Sequence, residues 1–166
     1  MELCCGDGFN ARNFHSIHSR RILACDFDPA AIRLARRRNS APNVTYCVAD
    51  IRKEMPSGMF DNIVWDAAIE HFTRSEIDAV LAAIQSRLTP GGVLSGHTIV
   101  EGTLQKALSH HETCFEGKED LAEILKRAFE NVTVFETIYP DRHNLYFWAG
   151  DGVVPFRQDW EAAATK

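Results

Sequence analysis

Two glycines and a distant carboxylate are the first residues whose spacing implies chemistry. Gly6-Asp7-Gly8-Phe9-Asn10-Ala11 fits the pattern G-x-G-x-x-A, and Asp26 follows Gly6 by 20 positions. Glycines let a backbone turn approach a ligand closely, and a carboxylate at the next strand's tip can accept hydrogen bonds from both ribose hydroxyls. That geometry serves NAD and an adenosyl cofactor alike. Further acids at Glu2, Asp50 and Asp66 fall at expected strand ends, the edge along which open α/β sheets bind ligands. Glu70 and His71 follow Asp66 closely. An imidazole ordinarily titrates near neutrality, so His71 is the candidate general base. Ser109-His110-His111-Glu112 concentrates potential metal ligands. Consecutive side chains diverge on a helix, however, and no third ligand is evident, so no metal site is expected. His143, flanked by Arg142 and near Tyr139, is a candidate for the mouth of a substrate site. Arg33, Arg36, Arg37 and Arg38 could contact nucleic acid, but cations near a helix C-terminus are also favoured by its dipole.

Short apolar runs alternating with helical periodicity must position these groups, which is the signature of βαβ units and a largely parallel sheet. Strands are expected at Glu2 to Cys5, Arg21 to Asp26, Val44 to Val48, Phe60 to Trp65 and Val93 to Ile99. Helices are expected from Asn10 to His18, and from Ala30 to Arg38 with Pro29 in its first turn and Ala31, Leu34 and Ala35 as its apolar stripe. A further helix is expected to begin at a Ser75 cap and end near Leu88. Pro90-Gly91-Gly92 reads as a turn, segment 101–118 as part helix and part loop, and Lys118 to Phe129 as an amphipathic helix. Val132 to Tyr139 and Leu145 to Gly150, joined by a short Pro-containing connection, predict an antiparallel hairpin.

The chain has 166 residues and 45% hydrophobic content, enough for one core and thus one domain over residues 1–166. A net charge of −5 disfavours nucleic acid and anionic lipid as partners. No apolar run approaches the roughly 20 residues of a membrane span. The segment MELCCGDGFN lacks the features of a secretory signal, so a cytoplasmic protein with no membrane partner is expected. Five cysteines, an odd number without a CxxC or CxxH pair, argue against both a disulfide framework and zinc.

Several motifs together resemble the class I S-adenosylmethionine-dependent methyltransferases. Glu2-Leu3-Cys4-Cys5-Gly6-Asp7-Gly8 looks like that family's first motif, with Cys4 where many relatives have glycine. Cys25-Asp26-Phe27-Asp28-Pro29 is similar to its second motif, with Asp28 better read as a helix cap. Val48-Ala49-Asp50-Ile51, the run Phe60 to Ala67 that contains Asp66, and Leu88-Thr89-Pro90-Gly91-Gly92 match later motifs in family order. The resemblance implies a Rossmann-like three-layer α/β sandwich around a mostly parallel seven-stranded sheet with an antiparallel final strand. The first strand is expected to be truncated, since only Met1 precedes Glu2. It also implies S-adenosyl-L-methionine as cofactor, contacted by Glu2, Cys5, Gly6, Gly8, Asp26, Phe27, Asp50, Ile51 and Asp66. In this reading Asp26 holds the ribose, Phe27 packs on adenine, Asp50 faces the adenine amino group, and Asp66 lies near the methionyl part. The expected activity is methyl transfer to a small-molecule acceptor, with His71 on the acceptor side. Two alternatives stay open: an NAD-dependent oxidoreductase, which lacks a recognisable Tyr-x-x-x-Lys pair here, and a non-catalytic binding or regulatory protein.

Overall fold

The β-branched and aromatic runs form seven strands of a single sheet in the computed structural model, which describes residues 1–100 and 111–152. They are β1 (Glu2–Leu3), β2 (Ile22–Asp26), β3 (Val44–Val48), β4 (Phe60–Trp65), β5 (Leu88–Ile99), β6 (Asn131–Tyr139) and β7 (Arg142–Gly150). Their order is β3-β2-β1-β4-β5-β7-β6. Strands β1 to β5 pair in parallel, whereas β7 runs antiparallel to both β5 and β6. The order reverses between β1 and β4, and at such a switch point an open α/β sheet leaves a crevice beyond its carboxyl ends. As expected, β1 is very short. Leu3 pairs with Cys25 on one side and Trp65 on the other, so two residues still bridge the halves.

Alternation along the strands divides the apolar residues between two faces. Leu3, Ile63, Trp65, Leu94, Leu145 and Phe147 join Ile77, Leu81 and Ile84 of α3 (Arg74–Gln85) and Leu121, Ile124 and Leu125 of α4 (Lys118–Leu125) in the main core. The other face carries a smaller cluster in which Ala11, Ile22, Ala24 and Tyr46 meet Ile32 and Ala35 of α2 (Pro29–Arg38). Ile32 and Ala35 are thus the buried stripe of α2, while Ala31 and Leu34 are only half-buried.

Local structure departs from expectation at several points, each for a physical reason. Helix α3 is capped by Thr73, not Ser75, because Glu76 lies three residues on and completes a reciprocal capping box. The helix expected over residues 10–18 is a π-helical turn (Ala11–His15) followed by α1 (Ser16–His18). Pro90-Gly91-Gly92 does not precede β5 but lies within it: Phe60 pairs with Leu88 and Asn62 with Val93, so the extra residues form an irregularity. The terminal hairpin forms as expected, with Tyr139 opposite Arg142. There His143 Nε2 donates to Glu136 Oε2 at 2.8 Å as a cross-strand pair, while its carbonyl accepts from Val100 N–H just past β5 at 2.9 Å. Arg36 hydrogen-bonds the Tyr46 carbonyl at 2.6 Å, giving one cation of the arginine run a structural partner. His110 and most of segment 101–118 lie outside the described residues. No described helix is long and apolar enough to cross a membrane.

Candidate active site

The crevice edge is built first by the turn after β1. Cys4, Gly6 and Gly8 all have positive φ, at 54°, 54° and 75°. The turn is closed by Gly8 N–H donating to the Cys5 carbonyl at 2.9 Å and is moored to β2 by Cys5 N–H on the Cys25 carbonyl at 2.9 Å. Its two glycines serve different ends. A Cβ on Gly8 would lie 2.6 Å from the Tyr46 ring, whereas one on Gly6 would meet nothing within 4 Å. Gly8 therefore allows close packing, and Gly6 leaves open space beside the backbone. Cys4, where a glycine would be relaxed, carries left-handed strain of about 1–2 kcal/mol.

Asp26 at the tip of β2 ties this turn in place. Its Oδ2 accepts from Gly6 N–H and its Oδ1 from Asp28 N–H, both at 2.9 Å. A carboxylate has about four lone-pair sites, so these bonds leave capacity on both oxygens. Asp28 caps α2 by accepting from Ala30 N–H at 2.7 Å, as its sequence position implied. Between them Phe27 stands 63% exposed, an apolar ring at a polar edge. Beyond β3, Ile51 is buried. Asp50 accepts from Arg52 Nε at 2.8 Å and lies 3.3 Å from Lys53 Nζ, and the Arg52 hydrogen bond holds its carboxyl down at about 2. The Arg52 guanidinium lies over the Phe27 ring, 5.7 Å from its centroid.

The opposite wall is formed by β1, β4 and β5. Glu2 is buried, its Oε2 has no hydrogen-bond partner among the described residues, and burial followed by Asp66 pushes its carboxyl up to about 7. Asp66, just past β4, accepts from the His97 backbone N–H at 3.1 Å and meets His97 Nδ1 in a short contact. That contact is the main reason the His97 imidazole titrates above its ordinary value. His97 stacks on Tyr146, which stacks on Phe135. Sequence reasoning missed His97. Only the β4–β5 register, Val64 beside Ser95, sets it level with Asp66, and that register depends on the irregularity around Pro90.

Glu2, Cys5, Gly6, Gly8, Asp26, Phe27, Asp50, Ile51 and Asp66 thus all lie within or just beyond the carboxyl ends of β1 to β4. His71 is exposed, in the 3-10 turn Ile69–His71, with its ring 4.8 Å from that of His111. A separate cavity of about 1200 Å³ crosses the sheet face below, lined by Glu2, Asn62, Val64, Asp66, Ser95 and Tyr146 among others. Glu2 and Asp66 belong to both regions, whereas Gly6, Asp26, Phe27 and Asp50 do not line the cavity.

Strand order 3-2-1-4-5-7-6 with acids at consecutive strand tips defines a Rossmann-like nucleotide-binding architecture of the methyltransferase type. The family model for a methyltransferase domain matches residues 1–92, and the chain belongs to that family. An uncharacterized methyltransferase of Mycobacterium tuberculosis is 32% identical over 114 residues, which cover 66% of this chain and 55% of that protein. The malonyl-[acyl-carrier protein] O-methyltransferase of Serratia marcescens is 29% identical over 107 residues, covering 64% and 40%. The chain spans about half the length of the curated relatives it matches. Among solved structures, the DhpI–SAH complex superposes with a TM-score of 0.73 at 22% identity, covering 90% of this chain and 75% of that one. The N-methyltransferase NodS from Bradyrhizobium japonicum gives 0.72 at 19% identity, covering 92% and 84%. At such identities these likenesses establish the fold.

Proposed function

We propose that the protein binds S-adenosyl-L-methionine and transfers its methyl group to a small-molecule acceptor. The observation that carries this reading is the joined tip of β1 and β2, where Asp26 holds the Gly6 turn while Gly6 leaves open space for a ligand. The donor set fits this cofactor. Asp26 and Asp66 bring carboxyl groups to the edge, a nearby cation would favour the ionised form of Glu2, and Phe27 and Ile51 offer apolar surface beside them. When bound, S-adenosylmethionine supplies an electrophilic methyl group on a sulfonium.

Each residue then has a stated task. Asp26 accepts from the ribose hydroxyls with its remaining lone pairs. Phe27 and Ile51 flank the adenine, and Asp50 accepts from its amino group. Glu2, Cys5, Gly6, Gly8 and Asp66 surround the methionyl portion. Positioning is the main demand on the protein, because an acceptor aligned with the methyl needs little further activation. Where the acceptor must lose a proton, His97 is the base: Asp66 engages Nδ1, which orients Nε2 for proton uptake. His71 stands on the acceptor side. A cytoplasmic location accords with an odd number of cysteines, five, none of them in a CxxC pair.

Titration calorimetry with S-adenosylhomocysteine and with NAD tests the cofactor assignment, and turnover of a panel of hydroxyl, amine and thiol acceptors tests the reaction. The expected result is binding of S-adenosylhomocysteine alone. Preferential binding of NAD overturns the reading in favour of an oxidoreductase.

A further inference from the structure

The geometry points to a divalent-cation site of the zinc class formed by Glu70, His71 and His111. The fold supplies a third ligand that the sequence order conceals: Glu70 and His71 are consecutive, and His111 reaches them from the far side of segment 101–110. One donor atom from each residue lies within 4.8 Å of the others. In a tetrahedral zinc site with bonds of about 2.1 Å, donors are roughly 3.4 Å apart, so closure requires movements of about an ångström. His71 is exposed and His111 half-exposed, so neither ring is locked in the core.

Backbone bonds hold the three residues together independently of any ion. The Glu70 carbonyl accepts from the N–H groups of Glu112 and Thr113 at 3.0 and 3.1 Å. Thr113 Oγ1 donates to the Phe72 carbonyl at 2.7 Å, so the chain after His111 is pinned to both ends of the turn. Glu70 is itself oriented: its Oε2 accepts from the buried Thr98 hydroxyl at 2.9 Å. A second partner of this kind fixes a ligating carboxylate in metal sites. Two imidazoles and a carboxylate are a zinc donor set, and three protein ligands leave a coordination position open. A thiolate, hydroxyl or carboxylate of a small molecule is the chemistry that position would take.

Strand β5 joins this site to the proposed reaction centre. His97 meets Asp66 and the next residue, Thr98, meets Glu70 on the other face of the sheet. A role for the cation in acceptor binding rests on the methyl-transfer reading; cation binding itself does not, so either can fail alone.

The test is zinc titration of chelator-treated full-length protein by calorimetry, with cobalt(II) absorption as a probe of the ligands. One equivalent of zinc should bind, weakened at least tenfold by His71→Ala and by His111→Ala and unchanged by Cys114→Ser. Zinc should also raise the thermal midpoint of the wild type but not that of His111→Ala. Absence of binding, wild-type affinity in either histidine variant, or a thiolate-to-cobalt band that disappears in Cys114→Ser would each overturn the assignment. Zinc binding without S-adenosylhomocysteine binding in the same preparation leaves the cation site standing and removes the methyl-transfer reading; the reverse removes the cation site.

Discussion

Replacing Glu2 by glutamine should stabilise the protein above neutral pH and leave it nearly unchanged in acid. Glu2 is 3% exposed, and burial, then repulsion from Asp66, raises its carboxyl from 4.5 to about 7. At about 1.4 kcal/mol per tenfold change in proton concentration, the folded state disfavours the carboxylate by about 3 kcal/mol relative to the unfolded chain. Between pH 4.5 and about 7 the folded protein holds a proton that the unfolded chain releases. This contribution is therefore fully present below the lower value and is lost as pH rises through the upper one. Glutamine has nearly the same shape and stays neutral, so Glu2→Gln removes the slope. Urea unfolding of both proteins across this window is the assay, and the curves should meet at the acid end and separate by about 3 kcal/mol above neutrality. Other groups titrate there too, notably His97, but they are common to both proteins and cancel in the difference. A difference in stability that does not vary with pH would refute the reasoning. A cationic ligand beside Glu2 favours the carboxylate, so its binding near neutrality should also release protons, seen as a calorimetric heat that depends on the buffer.

Asp26→Asn should weaken S-adenosylhomocysteine roughly tenfold to hundredfold, the equivalent of about 1.5–3 kcal/mol of charged hydrogen bonding, as read by titration calorimetry. Asp28→Ala is the contrasting variant: removal of the α2 cap should cost about 1 kcal/mol in urea unfolding with little effect on affinity. Ala67 is exposed with φ at 49°, so Ala67→Gly should raise stability by about 0.5–1 kcal/mol, left-handed strain relieved less the added entropy of the unfolded glycine. The methyl-transfer rate to a protonated acceptor should rise with pH through a value above 6.5, because His97 must be neutral to take a proton and Asp66 holds its imidazolium; His97→Ala should flatten that profile.

The strands were largely legible because each is a short apolar run between turn residues, and the acid at each tip follows directly. Asp26, Asp28 and Phe27 were legible in this way, since one strand end and one proline place all three. His97 was not. Its partner is set by the pairing of β4 with β5, and the residues that shift this pairing look like an ordinary turn when read alone. The cluster of Glu70, His71 and His111 was hidden for a related reason: its third member is 40 positions distant, and only backbone bonds from Glu112 and Thr113 bring it near. Residue type alone does not separate Thr73 from Ser75 as a cap, and the deciding partner is Glu76.

The crevice edge is where local preferences and the fold disagree most. Cys4 and Ala67 both adopt left-handed φ without being glycine, and Glu2 buries a carboxylate oxygen with no described partner. All three lie at the ends of β1 and β4, the central strands between which the sheet order reverses. Such strain persists only where surrounding structure over-determines it. Here the opposite face does so: Leu3 and Trp65, paired across the same two strands, are both fully buried against the core of α3 and α4. Full burial of side chains of that size contributes on the order of 1.5–3 kcal/mol each, more than a left-handed alanine or cysteine costs. The same pair of strands therefore carries the core on one face and the strained, charged edge at its ends. The Ala67→Gly change separates these roles, since it relieves strain at the edge without touching the core. If the left-handed turn after β4 serves chiefly to hold Asp66 against His97, the stability gained by Ala67→Gly should come with a looser Asp66–His97 pair and a lower methyl-transfer rate.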